Sequence, residues 1–548
     1  MMNLPKKLTN QLKSRKEQNA LRGLKSSSNL IDFSSNDYLG FAKSEIIFDK
    51  THQFLVDKGI KQNGATGSRL LSGNHQLYSE IESFLSTFHQ TESTTIFNSG
   101  YDANIGFFSS VPQRGDIILY DEFIHASIRD GIKLSNAKAF KFLHNDLEDL
   151  EKRLLNFIDK NEIFRQAQSD KERDSELDSE SHQTIYVVTE SVFSMDGDSP
   201  DLVAVTKICK KHNAFLIVDE AHAVGVFAAG LIQKLNLQHE VFARIITFGK
   251  ALGCHGAAIL GSTALQTYLV NFARSFIYTT GLSPHSLATI KVSYDELQTP
   301  FDCNQDDSQN TTKLQQNIHH FIKEVKRLNF PTFLFGEMSE RQWGFIPSCS
   351  AIHCCIIPRN EKVKAIAEKL QQNHYDVKAI LSPTVPQNKE RLRFCLHGYN
   401  SKKEISEVLE FLSIFVNQHL FMNDNYKILA VFEYSAEAHV TKSRLDADGF
   451  DTMLMDETTI DSDPLISGAI GGVKLLVHKN DFEKAVEVYN EIRTYQKDKN
   501  GNDIYCPKCN SNKILVAPLH RKNFFYMLFP FFEGRKLICN HCKTLFKN

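Results

Sequence analysis

The chain has 548 residues, more than a single hydrophobic core usually supports, so its length predicts several domains. Hydrophobic residues make up 42% of the chain and charged residues 23%, and the formal net charge is −2, which does not favour binding to nucleic acid. No apolar run is long enough to cross a bilayer, and the polar N-terminal stretch lacks the apolar core of a signal peptide. We therefore expect a cytoplasmic protein without a membrane span.

Residues 30 to 420 alternate short apolar runs with longer segments of helical periodicity. The runs DIILYD, TIYVVTES, FLIVDEAH, RIITFGK and AAILGS predict strands, and segments such as SPDLVAVTKICKKHN predict the helices between them. Because these strands are apolar on both faces, they favour an α/β fold with a mostly parallel central sheet. Residues 286–420 have the pattern of a smaller α+β subdomain. The charged, serine-rich segment 165–183 predicts a solvated loop insertion.

Two further units follow in the sequence. Residues 426–495 read as strand, helix, strand and helix, which predicts a small α+β accessory module. Residues 500–548 hold two CxxC pairs, formed by Cys506, Cys509, Cys539 and Cys542. In a reducing compartment such pairs predict a closed, structural four-cysteine site for zinc, with iron as the chemical alternative and four free thiols as the other possibility. Between the pairs, FFYMLFPFF is too short to span a bilayer and predicts a buried hairpin or an interaction patch.

Two of the predicted strands lead into charged side chains, Asp219 and Lys250. Ligands of open α/β sheets bind beyond the carboxyl ends of the strands, so we expect both charges to face one crevice. Taken alone, they equally fit a structural ion pair, and Lys250 alone fits a surface lysine. A glycine at the start of a helical segment, in Ser99-Gly100-Tyr101, adds a candidate phosphate seat. A lysine for the Schiff base, an aspartate for the pyridine nitrogen and a phosphate-binding helix N-terminus are together what a pyridoxal 5'-phosphate site requires.

Eight motifs in fixed order carry a resemblance to a known family: DFSSNDYLG, GATGSRLLSGNH, NSGYDAN, DEFIHASIRDGI, ESVFSMDGD, VDEAHAVG, TFGKALG and TVPQNKERLRFCLH. Residues 1–421 resemble the α-oxoamine synthases, which are fold-type-I pyridoxal-phosphate transferases. The resemblance implies a large subdomain at about 45–285 and a small subdomain made of 1–44 and 286–421. It also implies a homodimer with active sites at the subunit interface.

The resemblance assigns roles to individual residues. Lys250 would form the Schiff base with the cofactor and act as the base, while Asp219 would hold the pyridine nitrogen and His222 the phenolic oxygen. The remaining cofactor contacts implied are Gly100, Tyr101, Ser194, Thr247 and the stacking His125. The substrate contacts implied are His125 again, Arg393 for the amino-acid carboxylate, and Arg22 and Thr384 for the acyl donor.

The implied reaction is a decarboxylative condensation of an amino acid with an acyl thioester. The resemblance of the motif sequences favours L-alanine and a pimeloyl thioester as the substrates, with the thioester carried by coenzyme A or an acyl carrier protein, in biotin biosynthesis. One alternative is another member of the family, using glycine or serine with a different acyl-CoA. A second alternative is a catalytically silent regulatory or binding protein with a zinc ribbon, since residues 426–495 resemble small signal-transducing-type domains.

Overall fold

The computed structural model of the chain describes residues 4–17, 21, 29–169, 183–298, 312–333, 343–420, 426–432, 435–455, 473–492, 498, 501–516, 537–539, 541–542 and 544–546. The chain divides into two compact units, Met1–Ser413 and Ile414–Asn548. Three predicted features lie outside the described residues: Arg22, residues 170–182 of the charged segment, and the FFYMLFPFF stretch. Among the described helices, none combines the length and apolar character needed to cross a membrane.

The first unit is built on a seven-stranded sheet with the order β2-β8-β7-β6-β5-β3-β4. The strands of this unit are β1 (Ile31–Asp32), β2 (Ser93–Phe97), β3 (Ile117–Asp121), β4 (Lys138–Phe142), β5 (Ile185–Glu190), β6 (Phe215–Asp219), β7 (Ala243–Thr247), β8 (Ala257–Gly261), β9 (Gly344–Phe345), β10 (Ile352–Ile356), β11 (Tyr375–Asp376), β12 (Lys378–Ile380) and β13 (Arg391–Cys395). Within the large sheet only β8 runs antiparallel to its neighbours, β2 and β7. The predicted mostly parallel sheet is therefore confirmed.

Helices cover both faces of this sheet. The helices from the N-terminus to Leu420 are α1 (Lys6–Glu17), α2 (Glu45–Asp57), α3 (Gln76–Phe88), α4 (Gly100–Ser110), α5 (Ala126–Leu134), α6 (Leu147–Ser169), α7 (Leu202–Lys211), α8 (Leu231–Lys234), α9 (Thr263–Phe272), α10 (Arg274–Ile277), α11 (Pro284–Gln298), α12 (Lys313–Arg327), α13 (Asn360–Gln372) and α14 (Lys402–Leu420). Not all of them pack on the large sheet: α1 has no buried residue, and α13 contacts β11, β12 and β13. Alternate residues of β6 enter two different cores: Ile217 packs in the cluster that includes α4 and α5, and Leu216 and Val218 pack in the cluster that includes α6 and α7. Burial on both faces explains why the strands lack polar alternation.

A smaller sheet of the first unit has the order β12-β13-β10-β9. Its paired strands are antiparallel, and α13 connects β10 to β11. The short strand β1 pairs in parallel with β11, so Ile31 and Asp32 join the C-terminal part of this unit. Helix α6 extends to Ser169, which makes residues 165–169 of the predicted insertion helical.

The second unit contains two small antiparallel sheets, β14-β16-β15 and β17-β18-β19. Its strands are β14 (Tyr426–Phe432), β15 (Thr452–Met455), β16 (Val473–His478), β17 (Ile514–Val516), β18 (Leu537–Cys539) and β19 (Leu545–Phe546), and its helices are α15 (Ser435–Ala447) and α16 (Phe482–Ile492). Leu445 of α15, Leu475 and Val477 of β16 and Ala485 of α16 share one small core. The structure adds one strand, β15, to the strand, helix, strand and helix that the sequence pattern predicts here.

Candidate active site

The carboxyl ends of the parallel strands lie on the same side of the large sheet. Register pairs Glu190 with Asp219 and Asp219 with Ile245, so the ends of β5, β6 and β7 lie side by side. A cavity of about 240 Å³ opens there. Seven of the predicted site residues line it: Gly100, Tyr101, His125, Asp219, His222, Thr247 and Lys250.

Lys250 lies three residues beyond the end of β7. Its Nζ atom is 2.7 Å from Nε2 of His222. Desolvation within the cavity lowers the pKa of the Lys250 amine from 10.5 to about 8, against the opposing charges of Asp219 and Glu190. A lysine with this pKa supplies neutral, nucleophilic amine near neutral pH.

His222 connects Lys250 to the buried residue Tyr38. The His222 Nδ1 atom is 2.7 Å from the Tyr38 hydroxyl, which also lies within donating distance, 3.2 Å, of Oδ1 of Asn36. Burial, followed by the charge of Lys250, lowers the pKa of His222 well below its ordinary value, so the imidazole is neutral. The sequence motif DFSSNDYLG contains Tyr38, but nothing in its local pattern singles out this contact.

Asp219 is the last residue of β6 and is buried. Its Oδ2 atom accepts a hydrogen bond of 3.0 Å from the side-chain amide of Asn104, and its Oδ1 atom accepts one of 2.9 Å from the backbone of Ala221. The Asn104 amide also donates to Oγ of Ser127 at 3.0 Å. Sequence reasoning missed Asn104, although it lies one helical turn after Gly100 on the same helix. These contacts hold the carboxylate in one orientation in the cavity wall.

His125 caps the N-terminus of α5, with its Nδ1 atom 2.7 Å from the hydroxyl of Ser127. Its backbone N–H donates to Oε1 of Glu190 at 2.6 Å. Desolvation lowers the pKa of His125, and burial together with the charge of Asp219 raises the pKa of Glu190 well above its usual range. Glu190 therefore fixes the backbone that presents the His125 ring, a role the sequence did not reveal.

The candidate phosphate seat is the N-terminus of α4. Ser99 caps this helix by accepting from the Asp102 N–H at 3.1 Å, and the eleven-residue helix begins at Gly100. A Cβ atom on Gly100 would lie 2.6 Å from Cγ2 of Thr247, so only glycine keeps this corner of the cavity open. Helix N-termini bind phosphate through their free N–H groups. With Lys250 for an aldehyde and Asp219 for a ring nitrogen, the residues present fit pyridoxal phosphate.

Three other predicted residues lie apart from this cavity. Ser194 and Thr384 line a second cavity of about 290 Å³, and His125 lines both. Arg393 is buried on β13, where its guanidinium donates to Oδ1 of Asn36 at 2.8 Å. Its Nε atom is buried without a hydrogen-bond partner among the described residues, which suits an anionic ligand. Because Asn36 also accepts from Tyr38, one polar chain joins Arg393 to His222 and Lys250.

In the second unit, Cys506, Cys509, Cys539 and Cys542 come together. The Sγ atoms of Cys506 and Cys542 are 3.4 Å apart, those of Cys509 and Cys539 are 3.5 Å apart, and all four lie within 4.8 Å of one another. Tetrahedral coordination with Zn–S distances of about 2.3 Å places sulfurs roughly 3.8 Å apart. The donor set and its spacing therefore fit a thiolate-bound metal ion.

Comparison with known proteins gives a consistent result for the first unit. The family model described as "Aminotransferase class I and II" matches residues 28–412. The 8-amino-7-oxononanoate synthase of Emericella nidulans is 36% identical over 400 residues, covering 71% of this chain and 90% of that protein.

Two solved structures extend the comparison to three dimensions. The 8-amino-7-oxononanoate synthase of Francisella tularensis has a TM-score of 0.54 and 26% identity, over 71% of this chain and 98% of that chain. A serine palmitoyltransferase of S. paucimobilis, solved with pyridoxal phosphate joined to myriocin, has a TM-score of 0.61 and 23% identity, over 76% of this chain and 98% of that chain. The likeness to the palmitoyltransferase is one of fold.

Proposed function

We propose that the first unit of this chain, which belongs to the aminotransferase class I and II family, is a pyridoxal-phosphate-dependent acyltransferase. The substrates are L-alanine and a pimeloyl thioester, and the products are 8-amino-7-oxononanoate, CO2 and the free thiol, as in biotin biosynthesis. The observation that carries the proposal is the convergence of Lys250, His222, Asp219 and the α4 N-terminus on one cavity. The relative named for this activity supports the choice of substrates.

Apart from bonds to hydrogen, the overall reaction forms one carbon–carbon bond and breaks one carbon–sulfur and one carbon–carbon bond. After the α-proton of alanine is removed, a carbon–carbon bond forms between the α-carbon and the acyl carbonyl carbon, the carbon–sulfur bond breaks, and the leaving thiolate takes a proton from solvent to give the free thiol. The bond to the original alanine carboxylate then breaks to release CO2, and a proton returns to the α-carbon. When bound, pyridoxal phosphate supplies an aldehyde for the substrate amine and an electron-withdrawing ring.

The residues of the chain handle the protons and the orientation. The Lys250 amine, with its pKa near 8, accepts the α-proton of alanine and returns a proton at the end. Asp219 holds a proton on the pyridine nitrogen, and Arg393 binds the substrate carboxylate through its planar guanidinium. Neutral His222 accepts a hydrogen bond from Lys250 and so orients the amine.

Absorbance spectroscopy and a substrate screen test this proposal. The purified protein should absorb visible light at its cofactor, and Lys250→Ala should abolish that absorbance, whereas Lys138→Ala, an exposed control, should not. Alanine, glycine and serine are then each paired with pimeloyl-, acetyl- and succinyl-CoA, and CO2 release is measured. Alanine with pimeloyl-CoA should be fastest. A colourless protein that ignores added cofactor would support the silent binding protein, and activity with another pair alone would support a different α-oxoamine synthase.

We also propose that the enzyme is a cytoplasmic homodimer, as the family resemblance implies, and that the acyl donor is carried by coenzyme A or a carrier protein. Sedimentation of the holoprotein should give twice the mass of the chain.

For the second unit we propose a structural zinc ion on Cys506, Cys509, Cys539 and Cys542, supported by the clustering of their sulfurs. Four protein ligands leave no open coordination position, so the ion would stabilise this region without taking part in catalysis.

A further inference from the structure

The second cavity, of about 290 Å³, adjoins the first at His125. Apolar side chains from three segments form much of its wall, among them Phe123, Met195 and Val385. Thr384 lies in the same wall. Because apolar surface favours methylene groups over water, the cavity suits an alkyl chain that starts beside His125.

Two arginines reach this cavity, and they differ in how their charge is balanced. Arg391 is almost fully buried and forms an ion pair with Asp196. Arg129 is exposed, and its guanidinium donates to the backbone carbonyl of Glu122. The Glu122 carboxylate is instead paired with Lys141 at 3.0 Å. Within the part of the chain that the structure describes, no carboxylate forms an ion pair with Arg129.

Arg129 also lies at a suitable distance from the reacting end of the cavity. It follows His125 by four residues at the start of α5, which places the two backbones about 6 Å apart along the helix axis. An extended pimeloyl chain, with carbon–carbon bonds of about 1.5 Å, spans roughly 7 Å from its thioester carbonyl to its distal carboxylate. Because His125 and Arg129 both line this cavity, a thioester held beside His125 can extend its distal carboxylate along the cavity toward the Arg129 guanidinium.

We propose that Arg129 binds the distal carboxylate of a dicarboxylic acyl donor and so makes the enzyme select pimeloyl thioesters over monocarboxylic thioesters of the same length. This inference rests on the proposed function. Guanidinium and carboxylate form paired, charge-assisted hydrogen bonds, whereas a terminal methyl group would leave the arginine without an anion. Arg129 is then a specificity residue that takes no part in the bond-making steps.

Steady-state kinetics with two donors tests the proposal. The holoenzyme, Arg129→Gln and Arg129→Lys are each assayed with saturating alanine and either pimeloyl-CoA or heptanoyl-CoA, in which a methyl group replaces the distal carboxylate. The parent enzyme should prefer pimeloyl-CoA in kcat/KM by about tenfold or more. Arg129→Gln should raise the KM for pimeloyl-CoA by about tenfold to a hundredfold, leave heptanoyl-CoA unchanged and so erase the preference, and Arg129→Lys should retain part of it.

A matched control and a binding measurement complete the test. Arg114→Gln removes an exposed arginine at the amino end of β3, opposite the site, and should change neither donor. Calorimetric titration of the holoenzyme with free pimelate and free heptanoate should show tighter binding of pimelate, lost in Arg129→Gln. Equal losses with both donors would mean that Arg129 contacts the coenzyme, and unchanged kinetics would mean that it contacts nothing; either overturns the inference. Failure of the parent enzyme with both pimeloyl-CoA and the pimeloyl thioester of an acyl carrier protein overturns the proposed function itself, and is recognised because it precedes any substitution.

Discussion

Lys250 offers a direct test of how the cavity tunes its chemistry, because its pKa of about 8 differs strongly from the ordinary value of 10.5. At pH 7 a pKa of 8 leaves about 9% of the amine neutral, against roughly 0.03% for an ordinary lysine. At pH 9 about 91% is neutral. The acylation rate of Lys250 by an amine-selective reagent should therefore rise about tenfold between pH 7 and pH 9 and then level off.

The assay uses cofactor-free protein, brief acylation at a series of pH values and quantification of the Lys250 peptide by mass spectrometry. Asp219→Asn removes the charge that opposes desolvation most strongly, so the midpoint should move below pH 8. Glu240→Gln, at the opposite end of β7, removes an exposed carboxylate paired with Lys210 and should leave the midpoint in place. A rate that keeps climbing tenfold per pH unit up to pH 10 would refute the argument, since that is the behaviour of an unperturbed lysine.

Three more predictions concern side chains that support the two units. Tyr38→Phe leaves Nδ1 of His222 without its buried partner and should lower the free energy of unfolding by about 1–3 kcal/mol; urea denaturation of the cofactor-free protein measures this, and an unchanged midpoint would contradict it. His144 is 2.9 Å from both Asp121 and Asp198, which raise its pKa to about 10 despite burial, so its stabilisation should be complete below pH 6.5 and be lost as the pH rises through 10. Relative to the parent protein, His144→Gln should lose roughly 4 kcal/mol at pH 6 and much less above pH 10; a loss independent of pH would argue against the charged pairing. Cys539→Ser should reduce bound zinc from one ion per chain to near zero by elemental analysis, whereas Cys254→Ser should not, and a parent protein containing iron or no metal would exclude zinc.

Much of the fold could be predicted because the strands carry their own signal. The runs DIILYD, TIYVVTES, FLIVDEAH and AAILGS contain β3, β5, β6 and β8, and RIITFGK contains β7 except for its first residue, Ala243. Each is short and mostly apolar on both faces of the strand, since both faces of the sheet are covered by helices. The sequence predicted the ends of the strands less accurately. Strand β7 ends at Thr247, so Lys250 lies in the segment that follows and not at the strand end itself.

Only those residues of the candidate site that belong to a recognisable motif could be assigned to it from the sequence. Gly100, His125, Asp219, His222 and Lys250 each belong to a quoted motif, and the structure places them around one cavity. Their roles toward cofactor and substrate stay predictions. The residues that hold them were not visible in the same way.

The supporting contacts join distant parts of the chain. Tyr38 and His222 are 184 positions apart, and Asn104 and Asp219 are 115 apart. No local periodicity or spacing relates such pairs, since they meet only where β-strand ends and the loop around Tyr38 converge. Glu190 escaped notice for the same reason, because its contact with the His125 backbone depends on the order of strands in the sheet.

The α/β class, the order of the motifs and the types of side chain available for chemistry could be predicted from the sequence, because they depend on local composition and spacing. Which of those side chains share a cavity depends on contacts between distant segments, and these contacts place Ser194 and Thr384 outside the lining of the Lys250 cavity. The pKa of Lys250 depends on the tertiary structure in the same way, since desolvation and the charges of Asp219 and Glu190 act on that amine only after three neighbouring strands have come together.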